Sequence, residues 1–286
     1  MLEIMIWDVQ HGSATYAKTP EGKHFVIDLG TGSFVGDNDE FSPLLHLKNN
    51  YGITSIDEVI ITHPHTDHLD DIFNFDKLSP KALRRPKHLT EDDIRKANPD
   101  SDSDKIDKYL EINDRFNLTI KDEDNPELPE NNGGVKFHCF TPTNCGKSNI
   151  NNHSIVTVIE YLGVKVIIPG DNESASWKEL LENSSFVKAI SNANILVASH
   201  HGRDSGYCEE IFEHFTPDLV IVSDDEETDT SVTDKYTKKA NGWTVFKRSD
   251  RSSKKRYCLT TRNDGEILIK IGKDSNGKVF MNVSIV

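Results

Sequence analysis

Short apolar runs of strand length punctuate the whole chain, and the residues between them fall into two rhythms. Runs rich in Val, Ile and Leu occur at 1–8, 24–28, 59–62, 135–140, 155–161, 164–168, 193–199, 219–223, 243–246 and 257–261. Most are bounded by Gly, Pro, Asn or Asp, as strands are. Gly163 turns 155–161 into 164–168, and the glycines of Leu29-Gly30-Thr31-Gly32-Ser33 permit a tight turn after 24–28. Helical spacing appears elsewhere. Leu44, Leu45 and Leu47 give 41–58 an apolar side, and a helix is expected around 176–183.

Between 76 and 134 the rhythm breaks into a polar, acidic, proline-interrupted stretch that reads as an insertion, a candidate lid or partner surface. Within it, Thr90-Glu91-Asp92-Asp93 is a helix start with an acidic first turn. Ile106, Tyr109, Leu110 and Phe116 supply one apolar face of a second helix. Asp100, Asp102 and Asp104 with Glu111 imitate a calcium loop, but Lys105 stands where that loop needs Gly, so the pattern is rejected.

Composition narrows the class. The chain has 286 residues, enough for a sizeable core, with 35% hydrophobic residues and a net charge of −14. Such a surface repels nucleic acid over most of its area. The one basic cluster, Lys247, Arg248, Arg251, Lys254, Lys255 and Arg256, is by default a solvated hairpin loop, the alternative being a guide for a polyanion. Cys139, Cys145, Cys208 and Cys258 form no Cys-x-x-Cys pair, so a reducing, cytoplasmic setting is expected. No run approaches the ~18 apolar residues of a membrane helix, and no basic-then-apolar leader opens the chain, so no membrane contact is expected.

The densest chemistry is His63-Pro64-His65-Thr66-Asp67-His68, directly after Val59-Ile60-Ile61-Thr62. Imidazole and carboxylate donors suit Zn²⁺ and its first-row neighbours, and no nearby thiolate suggests a closed structural site. His63 and His65 would hold one metal from the strand end; Asp67 and His68, on the following turn, would face a second.

His-x-His-x-Asp-His after an Ile/Val strand resembles the signature of the metallo-β-lactamase fold family. The opening, in which 1–8 leads into Val9-Gln10-His11-Gly12-Ser13 and 24–28 into Leu29-Gly30, resembles the ComEC-like, nuclease-associated branch of that family. So do Asn151-Asn152-His153-Ser154, the Gly170-Asp171 strand end and the Thr261–Ile267 stretch. The resemblance implies an α/β (α+β) chain forming a four-layered αββα sandwich, one domain over 1–286, with the insertion outside it. It implies two Zn²⁺ ions, or Mn²⁺, bridged by Asp171 and a water whose pKa falls toward ~7 so that hydroxide attacks.

Further ligands are expected at His153 and His200. His153 either completes a triad with His63 and His65 or is a substrate-facing or surface imidazole. Strand neighbours point to opposite faces, which favours His200 as ligand and His201 as a substrate contact behind it. Asp67 would orient the nucleophile, with His201 or Arg203 assisting the leaving group; an ordinary solvated Arg203 is the alternative. Asp70 and Asp71 either hold the histidine rings or cap the next helix. His11 either supports the site or has no role.

Phosphodiester hydrolysis, on DNA, RNA or a nucleotide, is the expected activity. The same site hydrolyses lactones, thioesters or amides, and a metal-binding subunit meeting a protein partner through 76–132 is the third reading.

Overall fold

The computed structural model describes residues 1–31, 41–224 and 231–286. Gly32 and Ser33 of the expected glycine turn and most of the acidic loop expected at 224–229 lie outside the described residues. Nine strands form one sheet: β1 (Leu2–Ile6), β2 (Thr15–Lys18), β3 (His24–Ile27), β4 (Glu58–Ile60), β5 (Leu83–Arg84), β11 (Trp243–Lys247), β12 (Ser253–Arg256), β14 (Ile267–Lys273) and β15 (Val279–Ile285). Their spatial order is β12-β11-β15-β14-β1-β2-β3-β4-β5. Six form the other: β6 (Lys136–Phe140), β7 (Val156–Tyr161), β8 (Val164–Ile168), β9 (Ile195–Val197), β10 (Leu219–Val222) and β13 (Cys258–Thr260), in the order β13-β10-β9-β8-β7-β6.

Strand alternation explains the layers. Leu2, Ile4 and Ile6 point from β1 into a core shared with Ile159, Ile168, Val197 and Ile221 of the second sheet. Met5 and Trp7 point the other way, into a cluster with Leu44 and Leu47 of helix α1 (Pro43–Tyr51). On the far side, Val158, Ile167 and Val220 meet Trp177 of α4 (Ser174–Leu181), Phe186 of α5 (Ser184–Ile190) and Tyr236 of α6 (Thr233–Thr237). Two sheets face each other with helices outside both, which is the αββα sandwich. Each fully buried Ile or Leu in these layers contributes about 1.5–3 kcal/mol.

The 76–134 stretch is woven into this architecture. β5 pairs parallel with β4 at the sheet edge. Helices α2 (Glu91–Ala97) and α3 (Ser103–Arg115) send Ile94, Ile106, Tyr109 and Ile112 into the cluster that holds Leu44 and Phe75. The helix start expected at Thr90 is observed, and Thr90 and Asp93 form a capping box there. The basic cluster is the β11–β12 hairpin, with Lys254 and Lys255 exposed on the outermost strand. Asp264-Gly265 does not make a hairpin turn. Thr261–Asp264 is a single helical turn, α7, that carries the chain from β13 in one sheet to β14 in the other. Asp264 closes this corner by accepting both Arg256 N–H groups at 2.9 Å. Among the described residues, no helix is long and apolar enough to cross a membrane.

Candidate metal centre

β4 ends at Ile60, and the ladder continues one step further as Ile61 N–H donates to the Arg84 carbonyl. Beyond it the backbone leaves the sheet, and residues 66–68 form one tight helical turn. The turn packs against two glycines. At Gly12, with φ +112°, a Cβ would stand 2.4 Å from the Asp67 carbonyl oxygen, so no larger residue fits there.

Four side chains converge on one point: Asp67, His68, Asp171 and His201 offer ligand atoms that all lie within 4.8 Å of one another. His68 Nε2 is 3.4 Å from Asp171 Oδ1, and His201 Nε2 is 3.4 Å from both Asp67 Oδ2 and Asp171 Oδ2. Each imidazole is fixed from behind. His68 Nδ1 is 2.8 Å from Asp28 Oδ2, and Asp28 accepts from the Thr62 N–H and hydroxyl. His201 Nδ1 lies 3.1 Å from the Ser223 carbonyl. Both partners are acceptors, so both Nδ1 atoms carry the proton and both Nε2 atoms turn inward.

Those two Nε2 atoms are buried and have no hydrogen-bond partner. Two lone pairs facing two carboxylates repel unless something positive stands between them. With protons alone, burial opposes charge on His68 and His201, but the carboxylates overcome it. His68 is raised well above the usual imidazole range by Asp171, Asp28 and Asp67, and His201 is pushed up to about 10, chiefly by Asp171. Burial likewise opposes charge on Asp171, yet His201 and His68 hold its carboxyl well below the ordinary carboxylate range. A divalent cation satisfies the same four groups without protons. Two imidazole nitrogens and two carboxylates at one point are a donor set that suits zinc or manganese.

The other expected residues are arranged differently. His63 is fully buried and its Nε2 meets His65 Nδ1 at 2.9 Å; burial first, then His68 and His65, hold His63 neutral. His153 is also fully buried, with Nδ1 2.9 Å from His88 Nε2 and its own Nε2 without a partner. His63, His65 and His153 are not part of the converging group of four. His201 stands in that group where His200 was expected. His200 instead places Nδ1 2.9 Å from Ser205 Oγ and 3.2 Å from Glu173 Oε1, with Nε2 3.9 Å from Asp171 Oδ2. The reason is conformational: both residues are left-handed, at φ 51° and 52°, so the alternation of a strand, which stops at Val197, does not govern them.

Neither Asp70 nor Asp71 holds a histidine ring. Asp70 pairs with Lys105, and Asp71 accepts from the Ser42 hydroxyl and the Leu44 N–H at the start of α1. The ring of His68 is held by Asp28, whose role sequence reasoning missed; its only signal was the Ile27-Asp28-Leu29-Gly30 stretch that ends β3. His11 reaches the site, with Nε2 3.6 Å from Asp67 Oδ2.

The group opens into a cleft of about 350 Å³. His200 and Arg203 line one side of it, and Ala97, Asn98, Pro99 and Asp102, from the 76–134 stretch, line another. A larger cavity of about 580 Å³ lies by Arg84 and Arg115, but both cations already hold carboxylates, Glu127 and Asp76.

The family model of the metallo-beta-lactamase superfamily matches residues 7–181. ComE operon protein 3 of Bacillus subtilis is 24% identical over 239 residues, 77% of this chain and 28% of that protein. A UPF0173 metal-dependent hydrolase of Sulfurisphaera tokodaii is 39% identical over 61 residues, 21% of this chain and 23% of that one. The chain thus spans less than a third of either curated relative. Among solved structures, Zn²⁺-bound PqqB from Methylobacterium extorquens matches with a TM-score of 0.42 and 12% identity, covering 90% of this chain and 88% of that one.

Proposed function

We propose, because this chain belongs to the metallo-beta-lactamase superfamily and is a metal-dependent hydrolase of that fold, that it cleaves phosphodiesters. The observation that carries the reading is the pair of buried, unpartnered Nε2 atoms, on His68 and His201, aimed at Asp67 and Asp171. Asp67, His68, Asp171 and His201 would hold one ion. His63, His65 and the unpartnered Nε2 of His153 are the donors for a second, Zn²⁺ or Mn²⁺ in either case. Bound divalent ions supply Lewis acidity toward a phosphoryl oxygen and acidify water.

The chain's own groups do the rest. Asp28 and the Ser223 carbonyl keep the two imidazoles in the tautomer that turns Nε2 inward. Asp67, reached by both His201 and His11, is the carboxylate placed to orient an attacking water. Arg203, with Nη1 3.4 Å from His200 Nε2 on the cleft wall, is the cation for an anionic substrate oxygen. The net charge of −14 favours a small phosphodiester such as a nucleotide over long duplex DNA.

The test is elemental analysis followed by Zn²⁺ and Mn²⁺ titration against bis-p-nitrophenyl phosphate, cyclic and linear dinucleotides, DNA and a panel of lactones. Turnover of phosphodiesters that Asp171→Asn and His201→Ala abolish, and that His200→Ala only slows, is the expected result. Turnover of lactones alone would sink the phosphodiester reading.

A further inference from the structure

Helix α2 ends at Ala97 and is followed by Asn98 and Pro99. Proline disfavours helical geometry in the residue before it, and Asn98 is extended, at φ −117° and ψ 148°. This turns its side chain back into the protein, where the residue is 8% exposed. Both sides of the amide there are engaged. Its oxygen accepts the Thr66 N–H at 3.1 Å, and its NH₂ donates to the Pro64 carbonyl and to the Ile94 carbonyl, both at 2.9 Å.

Pro64 and Thr66 flank His65, so one side chain grips the backbone on both sides of a proposed ligand. Among the described residues, no other hydrogen bond reaches the Thr66 N–H or the Pro64 carbonyl. An amide presents a donor and an acceptor side by side at every pH, which an ionised carboxylate does not. Asp has the same shape but would set a carboxylate oxygen against the Pro64 carbonyl.

We infer that Asn98 is a positioning residue for the metal centre: the segment inserted between β5 and β6 clamps the ligand-bearing loop through it and sets the affinity for metal. The inference rests on the metal-dependent reading above. Without the amide, a buried N–H and a carbonyl lose their partners, and the loop relaxes about His65. Groups that orient metal ligands typically change metal affinity about 10–100-fold when removed.

The experiment compares the full chain with Asn98→Asp, Asn98→Ala and Ile94→Ala. Ile94 sits on the same helix, is 4% exposed and packs in the apolar cluster with Ile106 and Tyr109, and its side chain carries no hydrogen-bonding group. Zn²⁺ affinity is read by competition with a chromophoric chelator, Co²⁺ geometry by its visible absorption, and folding by near-UV circular dichroism. Both Asn98 variants are expected to bind Zn²⁺ about 10–100-fold more weakly with an altered Co²⁺ spectrum. Ile94→Ala should lower the thermal midpoint and leave both metal readouts unchanged. Native affinity and spectrum in Asn98→Asp would overturn the inference, as would equal weakening in Ile94→Ala. An unsubstituted chain that takes up no metal would remove the metal reading itself, and the inference with it.

Discussion

At the residue scale, the site is a balance of charge among three buried groups and the partly exposed Asp67. In the metal-free protein His68 and His201 keep protons because Asp67 and Asp171 face them. An imidazole whose folded pKa is raised stabilises the fold fully below its unfolded value near 6.5, and that contribution fades as pH rises through the folded value, about 10 for His201. The metal-stripped protein should therefore lose resistance to urea between about pH 6.5 and 10. The carboxylates, held low, show their own loss only as pH falls below the ordinary carboxylate range. The metal-loaded protein, with no protons on the two Nε2 atoms, should lack the alkaline decline. Urea midpoints measured across that window in both forms check this.

The legibility of these residues follows local geometry. His63 to His68 stood out because four candidate ligands fall within six adjacent residues, and Asp171 because it ends a strand. The alternation rule that favoured His200 does not apply to His200 and His201, which lie past the strand in a left-handed turn. Asp28 was overlooked because its partner, His68, lies forty residues away in sequence.

At the element scale, β7, β8 and β10 were readable from their apolar runs, while β2, four residues long and ending in an exposed lysine, and β15, whose buried residues alternate with more exposed ones, were not. The 76–134 stretch looked detachable because its surface is polar. Ile94, Ile106, Tyr109 and Ile112 nevertheless face the core, while Leu118 and Ile120 are exposed. Helix α2 is only seven residues long, so its capping box matters disproportionately. Thr90→Ala should cost about 1 kcal/mol in urea unfolding, whereas Lys96→Ala, which removes an exposed ion pair with Asp92, should leave the urea midpoint where it was.

At the scale of the whole molecule, the proposed ligands come from both sheets: Asp67 and His68 follow β4, while Asp171 follows β8 and His201 follows β9. An ion held by them would tie one half of the sandwich to the other. Free metal at about a hundred times its Kd should add about 2.7 kcal/mol, or roughly 5–10 °C in Tm for a chain of this size. Calorimetry with Zn²⁺ and with a chelator should show that shift, and Asp171→Asn should lack it. The layering itself came from the motif's family likeness, since periodicity alone does not say which strands share a sheet. The basic hairpin is the counterexample to a functional reading of charge. β12 lies seven strands from β4, about 34 Å at ordinary strand spacing, so its lysines lie across the sheet from the metal loop.

That tie between the sheets also orders events during synthesis. A chain emerging from its N-terminus presents Asp67 and His68 long before Asp171, and His201 later still. Until then the turn after β4 has only half of its donors and no second sheet against which to close. Metal capture by the proposed ligands would therefore report on completed folding: a nascent or truncated chain that stops short of His201 would lack the full grip.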